Sequence, residues 1–132
     1  MGRFSVKQTS DGRYMFNLIA NNNRVITSSQ TYASVANAKI GIESVRTNCA
    51  APVEEQIVEG YDALRHPKYE VYLDVGGKPR FRLKASNGEN IAVSQAYTDK
   101  SSCIEGVATI GSHAPDANII LKNSDQSAIH NG

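Results

Sequence analysis

The chain has 132 residues, the size of one compact domain. With 40% hydrophobic and 20% charged residues it fits neither a disordered tail nor a membrane protein, and no apolar run reaches the roughly 18 residues of a bilayer span. Fourteen Lys and Arg against thirteen Asp and Glu leave a formal charge of +1, which gives no overall pull toward nucleic acid or anionic lipid and leaves room only for a local patch.

Met1-Gly2-Arg3-Phe4-Ser5-Val6 lacks the apolar stretch of a secretory signal, and Val6 stands where a myristoylation start needs Ser or Thr, so a cytoplasmic protein is expected. Phe4-Ser5-Val6-Lys7-Gln8 alternates apolar and polar side chains, the pattern of a half-buried strand, and Ser10-Asp11-Gly12 supplies a turn. In the next strand Tyr14, Phe16, Leu18 and Ala20 share one face. Asn21-Asn22-Asn23 turns the chain into a third strand over Arg24-Val25-Ile26-Thr27-Ser28. Val35, Ala38, Ile42 and Val45 then recur at helical spacing behind Ser34, a plausible N-cap. Gln56-Ile57-Val58, after Pro52, reads as a last short strand, with Glu54, Glu55 and Glu59 as charges protecting a sheet edge.

Sliding the chain on itself by about 65 residues repeats this unit. Val6 falls on Val71, Phe16 on Phe81, Leu18 on Leu83, Asn22 on Asn87, Ile26 on Ile91, Gln30 on Gln95, Tyr32 on Tyr97 and Gly41 on Gly106. Asn87-Gly88 makes the second hairpin turn, Asp99 caps a helix carrying Cys103, Ile104, Val107 and Ile110, and Ile119-Ile120-Leu121 follows Pro115. The organisation expected is a first repeat over 1–60, a joining segment 61–67, a second repeat over 68–122 and a polar, mobile tail 123–132. One helix per unit of this size buries little on its own, so the two are expected to share a core. Gly41 and Gly106 sit inside their helices, where Gly costs about 1 kcal/mol relative to Ala. Their recurrence predicts close backbone approach to the sheet or to the other helix.

Four segments carry a family resemblance. They are Arg80-Phe81-Arg82-Leu83-Lys84-Ala85-Ser86-Asn87-Gly88-Glu89, Ser94-Gln95-x-Tyr97, Gly41-Ile42-Glu43-Ser44-Val45 before Asn48, and His113-Ala114-Pro115-Asp116-Ala117. In these the chain resembles the YegP-like family of small bacterial proteins. The resemblance implies a β-β-β-α-β unit, with two units forming one sheet and exchanging their C-terminal strands. It implies no catalytic residue, since the family has no established activity. Asn21-Asn22-Asn23 and Cys49-Ala50-Ala51-Pro52 depart from the pattern in the first copy and argue against a symmetric pair of sites.

Reactive constellations are sparse. His66 stands beside Pro67, His113 at a helix end and His130 in the tail, with no nucleophile elbow and no His-Glu-x-x-His pair. Cys49 and Cys103 have no metal-ligand spacing and read as two inert thiols. Gly76-Gly77-Lys78 lacks the rest of a phosphate loop and reads as a hairpin turn. The duplicated Ser29-Gln30-x-Tyr32 and Ser94-Gln95-x-Tyr97 admit two readings. In one, the polar side chains close the strand-to-helix turn while each tyrosine packs under its helix; in the other, they line a small-ligand pocket. Arg80, Arg82 and Lys84 share the outward face of one strand, with Tyr72 on its neighbour. This is either a solvated face neutralised by Glu70 and Glu89 or a stripe for phosphates and a stacked base. Met15 and Ile19 take the place of Arg80 and Lys84 in the first copy and, if exposed, suggest a partner or self-association patch.

These readings converge on an α+β protein: two tandem β-β-β-α-β repeats fused into one compact body, with an antiparallel-rich sheet and both helices on it. The expected function is a non-enzymatic interaction module for an unknown protein partner, without cofactor, metal or membrane contact, and compatible with a monomer. Nucleic-acid binding through Arg80, Arg82, Lys84 and Tyr72 is the alternative. A ligand site or enzyme at Gln30, Tyr32, Gln95 and Tyr97 ranks third.

Overall fold

Alternation places Phe4 and Val6 of β1 (Arg3–Gln8) and Phe16 and Leu18 of β2 (Tyr14–Ile19) on one face, where all four are fully buried. Tyr69 and Val71 of β5 (Lys68–Leu73) and Phe81 and Leu83 of β6 (Pro79–Lys84) repeat the arrangement. The third strands, β3 (Val25–Ser28) and β7 (Asn90–Val93), pair antiparallel with the second strand of their own copy. The tight turns before them need a residue in the left-handed region. Gly88 takes φ +84° in the second copy, and Asn23, the side chain that best tolerates this conformation, takes +66° in the first.

A computed structural model of the protein describes residues 2–122; the tail expected over 123–132 lies outside them. Its eight strands form a single mixed sheet of order β4-β5-β6-β7-β3-β2-β1-β8, where β4 is Val53–Glu55 and β8 is Asn118–Leu121. The C-terminal strands are exchanged. β4, from the first copy, runs parallel to β5 of the second, and β8, from the second, runs parallel to β1 of the first. At the centre β3 meets β7 through Ser28 and Val93, which hold the same position in the two copies, and Thr27 Oγ1 donates to the Val93 carbonyl at 2.6 Å.

Helices α1 (Val35–Asn48) and α2 (Lys100–His113) lie on the apolar face. Ser34 Oγ accepts from the Asn37 N–H at 3.0 Å and Asp99 Oδ1 from the Ser102 N–H at 2.8 Å, as N-caps do. Ala38, Ile42 and Val45, and Cys103, Val107 and Ile110, form the buried stripes. Each helix covers strands of its own copy and also reaches the third strand of the other, α1 over β7 and α2 over β3.

The two helix glycines are confined by aromatic side chains, not by the backbone approach expected. A methyl group at Gly41 would overlap the Tyr32 hydroxyl, and would stand 2.7 Å from Tyr32 Cζ and 3.1 Å from Phe16 Cε2. At Gly106 it would overlap the Tyr97 hydroxyl, 2.9 Å from Tyr97 Cζ and 3.2 Å from Phe81 Cε2. The rings form stacks, Phe16 with Tyr32 at 6.1 Å and Phe81 with Tyr97 at 6.2 Å between centroids.

The strand after Pro52 is Val53–Glu55, and Gln56-Ile57-Val58 instead form a turn, with the Val58 N–H on the Glu55 carbonyl at 3.2 Å. The carboxylates disguise the strand. Glu54 is not an edge charge: it is 2% exposed, and Lys68 Nζ lies 2.7 Å from it and 3.1 Å from Glu70. Gln56 Nε2 donates to Glu54 Oε1 at 2.7 Å and the Leu64 N–H to Oε2 at 2.6 Å, so the joining segment closes over the group. Glu55 pairs with Lys100 at 2.8 Å, while Glu59 is exposed. Burial alone would raise the Glu54 carboxyl, but these donors and the Lys68 charge bring it down to about 2. Glu70 is likewise lowered: Arg82 and Lys68 outweigh its burial.

Gly106→Ala, which would help an isolated helix, is expected to cost about 1–3 kcal/mol through overpacking. Adding Tyr97→Phe removes the overlapping hydroxyl and should recover part of that loss in urea denaturation; an undiminished loss would exclude the tyrosine as the cause. Lys68→Met leaves buried Glu54 without a cation and Glu70 with Arg82 alone, and should cost about 3–5 kcal/mol. Both carboxyls titrate below their ordinary value of 4.5, so the stability they contribute is in place above that pH and is lost as pH falls through their lowered values, about 2 for Glu54. Glu54→Gln should flatten this acid limb in a series of urea midpoints against pH.

Candidate functional site

Where each third strand passes into its helix, a serine turns inward. Ser29 Oγ accepts from the Phe16 N–H at 2.9 Å and donates to the Gln30 carbonyl at 2.7 Å; Ser94 Oγ does the same for Phe81 and Gln95 at 2.9 and 2.8 Å. These serines satisfy backbone groups and are buried, so they are spoken for. The glutamines stand two residues before the stacked tyrosines. Gln30 and Gln95 are exposed beside half-buried Tyr32 and Tyr97.

Each Gln-x-Tyr pair lines a groove, and each groove has one wall from either copy. The first, about 320 Å³, lies between Gln30, Tyr32, Ile40 and Ser44 on one side and Ala85, Asn87, Glu89 and Ile91 on the other. The second, about 510 Å³, lies between Gln95, Tyr97, Glu105 and Thr109 and the residues Ala20, Asn22, Arg24 and Val25. The two correspond under the internal repeat at all these positions but Ile91 and Val25, since strand exchange and the helix crossings place each helix beside the hairpin turn of the other copy. Burial raises both tyrosine hydroxyls above their ordinary value. A hydrogen bond from Gln30 partly offsets the shift of Tyr32, to which the Glu89 charge adds a little; the Cys103 thiol adds to that of Tyr97 and Arg24 slightly opposes it.

The cationic stripe stands on the helix-free face and is largely neutralised. Arg80 Nε lies 2.7 Å from Asp74 Oδ2 and Arg82 Nε 2.5 Å from Glu70 Oε1. The Arg82 guanidinium also covers the Tyr72 ring, 4.1 Å from its centroid, which occupies one face of the ring a base would need. Lys84 is partly buried and has no carboxylate partner among the described residues. Glu89 faces the first groove, not this stripe. Met15 and Ile19 are partly buried on the same face of the first copy.

His66 sits against the turn at Gly88, and His113 Nδ1 is 3.0 Å from the Thr109 carbonyl at the end of α2; His130 lies outside the described residues. Both cysteines are buried and unpaired, and burial pushes the Cys103 thiol up to about 11. Among the described residues no group of three or more His, Cys, Asp or Glu side chains is placed to hold a metal ion, and no helix is long and apolar enough to cross a membrane. What sequence reasoning missed is the second wall of each groove. Asn22, Arg24, Asn87 and Glu89 lie in hairpin turns that read as ordinary connections, and only the exchange brings them to the opposite helix.

The family model for a domain of unknown function, DUF1508, matches residues 9–55 and again 74–120. The UPF0339 protein YegP of Yersinia pestis is 36% identical over 110 residues, 83% of this chain and 86% of that one. A UPF0339 protein of Methanosarcina acetivorans is 56% identical over 54 residues, 41% of this chain but 93% of its own length, so it is about one repeat long. The solution NMR structure of Escherichia coli yegP, a protein of unknown function, superposes with a TM-score of 0.76 at 29% identity, covering 93% of this chain and 94% of that one. Two matched domains, an exchanged eight-stranded sheet and relatives along most of its length make this chain a tandem-repeat member of the UPF0339/YegP family.

Proposed function

We propose that the chain is a non-enzymatic binding module whose ligand sites are the two inter-repeat grooves. One observation carries the reading: both duplicated Gln-x-Tyr pairs, whose serines are consumed by the backbone, line a cavity. Clefts of a few hundred Å³ with convergent polar side chains are the usual setting for small ligands; the first groove is lined mainly by apolar surface and the second mainly by polar surface. Binding is favoured over catalysis because neither lining contains a histidine, cysteine or lysine, and the phenols are shifted away from neutral pH. The helix-free face is less suited to a partner, since two cations of its stripe are already matched with carboxylates. Two buried, unpaired cysteines agree with a reducing, cytoplasmic setting.

The test is a fragment screen on the ¹⁵N-labelled full chain, read by amide chemical shifts. Perturbations should cluster on Gln30, Tyr32 and Glu89 or on Gln95, Tyr97 and Arg24. A fragment held at a hundredfold excess over its Kd should add about 2.7 kcal/mol of stability, less in Tyr97→Phe when it occupies the second groove. Perturbations confined to Arg80, Arg82 and Lys84, elicited by an oligonucleotide and abolished by salt, would move the function to the basic strand. No response at either groove would remove the reading.

A further inference from the structure

The two grooves differ most in charge. Arg24 occupies the place that Glu89 holds in the other groove, and Glu105 the place of Ile40. The first groove therefore pairs one carboxylate with an isoleucine that is 67% exposed. The second holds a guanidinium on the hairpin wall and a carboxylate on the α2 wall. Arg24 and Glu105 are both exposed, and neither forms an ion pair among the described residues, so they are not satisfied by each other. The influence of Arg24 on the Tyr97 hydroxyl agrees with its place on the same groove. Gln95, Ser102 and Thr98 line the space as well and offer amide and hydroxyl groups.

Opposite charges on facing walls, unpaired across a cleft, complement a molecule that carries both charges itself. A ligand with a single charge would leave one wall unmatched, and an apolar ligand would desolvate both walls without return. From the Arg24–Glu105 juxtaposition, and resting on the reading of the grooves as ligand sites, we propose that the second groove binds a small zwitterion of the free amino-acid class. Its carboxylate is taken by Arg24 and its ammonium by Glu105. The first groove, which has a carboxylate and no cation at these positions, does not share this preference and serves as an internal control. Both charged residues are solvent-exposed, so the affinity is modest and falls with ionic strength.

The experiment uses the full chain and the series glycine, β-alanine, γ-aminobutyrate and 5-aminovalerate, which increases the spacing between the two charges. Each is compared with its N-acetyl and methyl-ester forms, and binding is followed by amide shifts. One member should perturb Gln95, Tyr97 and Ser102 with a Kd at least tenfold lower than either singly charged form. Arg24→Gln and Glu105→Gln should each weaken it about tenfold. The exchanged variant Arg24→Glu/Glu105→Arg should recover much of the loss, which a purely structural role would not allow. If acetylated or esterified forms bind equally well, or if no zwitterion binds while neutral fragments still occupy the groove, this inference fails and the groove reading stands. If no probe of any kind perturbs either groove, both fall together.

Discussion

Everything in this molecule depends on the parallel docking of each C-terminal strand onto the first strand of the opposite copy. Val53 lies beside Tyr69, and Ile119 beside Phe4, so each copy completes the other's sheet. The direct seam between the halves is slight: one residue pair and one threonine hydroxyl join β3 to β7. Exchange and the helices that cross the seam must supply the rest. Tyr69 Oη donates to the Cys49 carbonyl at 2.8 Å and the Arg46 guanidinium to the Ala117 carbonyl, so the end of α1 is tied to the second copy at two points. The groove walls belong to different copies for the same reason.

On the helix-free face the two halves solve one packing problem in different ways. In the second half Glu54, Lys68, Glu70 and Arg82 form a continuous ionic row across β4, β5 and β6. Ile120, Arg3, Ser5 and Asn17 stand at the equivalent positions of the first half. There Ser5 is buried without a charge, and Asn17 is held by Ser28 Oγ at 2.6 Å. A buried ionic row is not a cheaper solution than small polar or apolar side chains. It does resist mismatch: a strand other than Val53–Glu55 docked on β5 would leave Lys68 without its nearer carboxylate. Charge thus specifies which segment takes that edge, whereas β8 docks by Ile119 and Leu121 packing on the core.

Periodicity was enough for the units themselves, because each strand and helix buries one regular face: Phe4 and Val6, Phe16 and Leu18, Ala38, Ile42 and Val45. Strand exchange has no periodic signature, since β4 pairs the same way whether its partner is in its own copy or the other; family resemblance was needed. Val53-Glu54-Glu55 was hidden by two carboxylates that look solvent-seeking until Lys68, fourteen residues on, is seen beside them. The Gln-x-Tyr pairs were visible as a duplicated motif, and the inversion from Arg24 to Glu89 is plain in the aligned copies. That these turns face a helix of the other copy is a property of three-dimensional closure, and no local pattern carries it.

Duplication within one polypeptide also changes what the grooves are free to become. Two identical units forming such a sheet would carry the same side chains at both grooves, and a substitution at one would appear at the other. A tandem chain lifts that constraint. The packing elements have stayed alike: Gly41 and Gly106 over Tyr32 and Tyr97, Ser29 and Ser94 on the backbone, Phe16 and Phe81 beneath. The rims have separated, Arg24 from Glu89 and Glu105 from Ile40. Positions under steric constraint are alike in the two copies, while one exposed groove position is opposite in charge and another is charged in one copy alone.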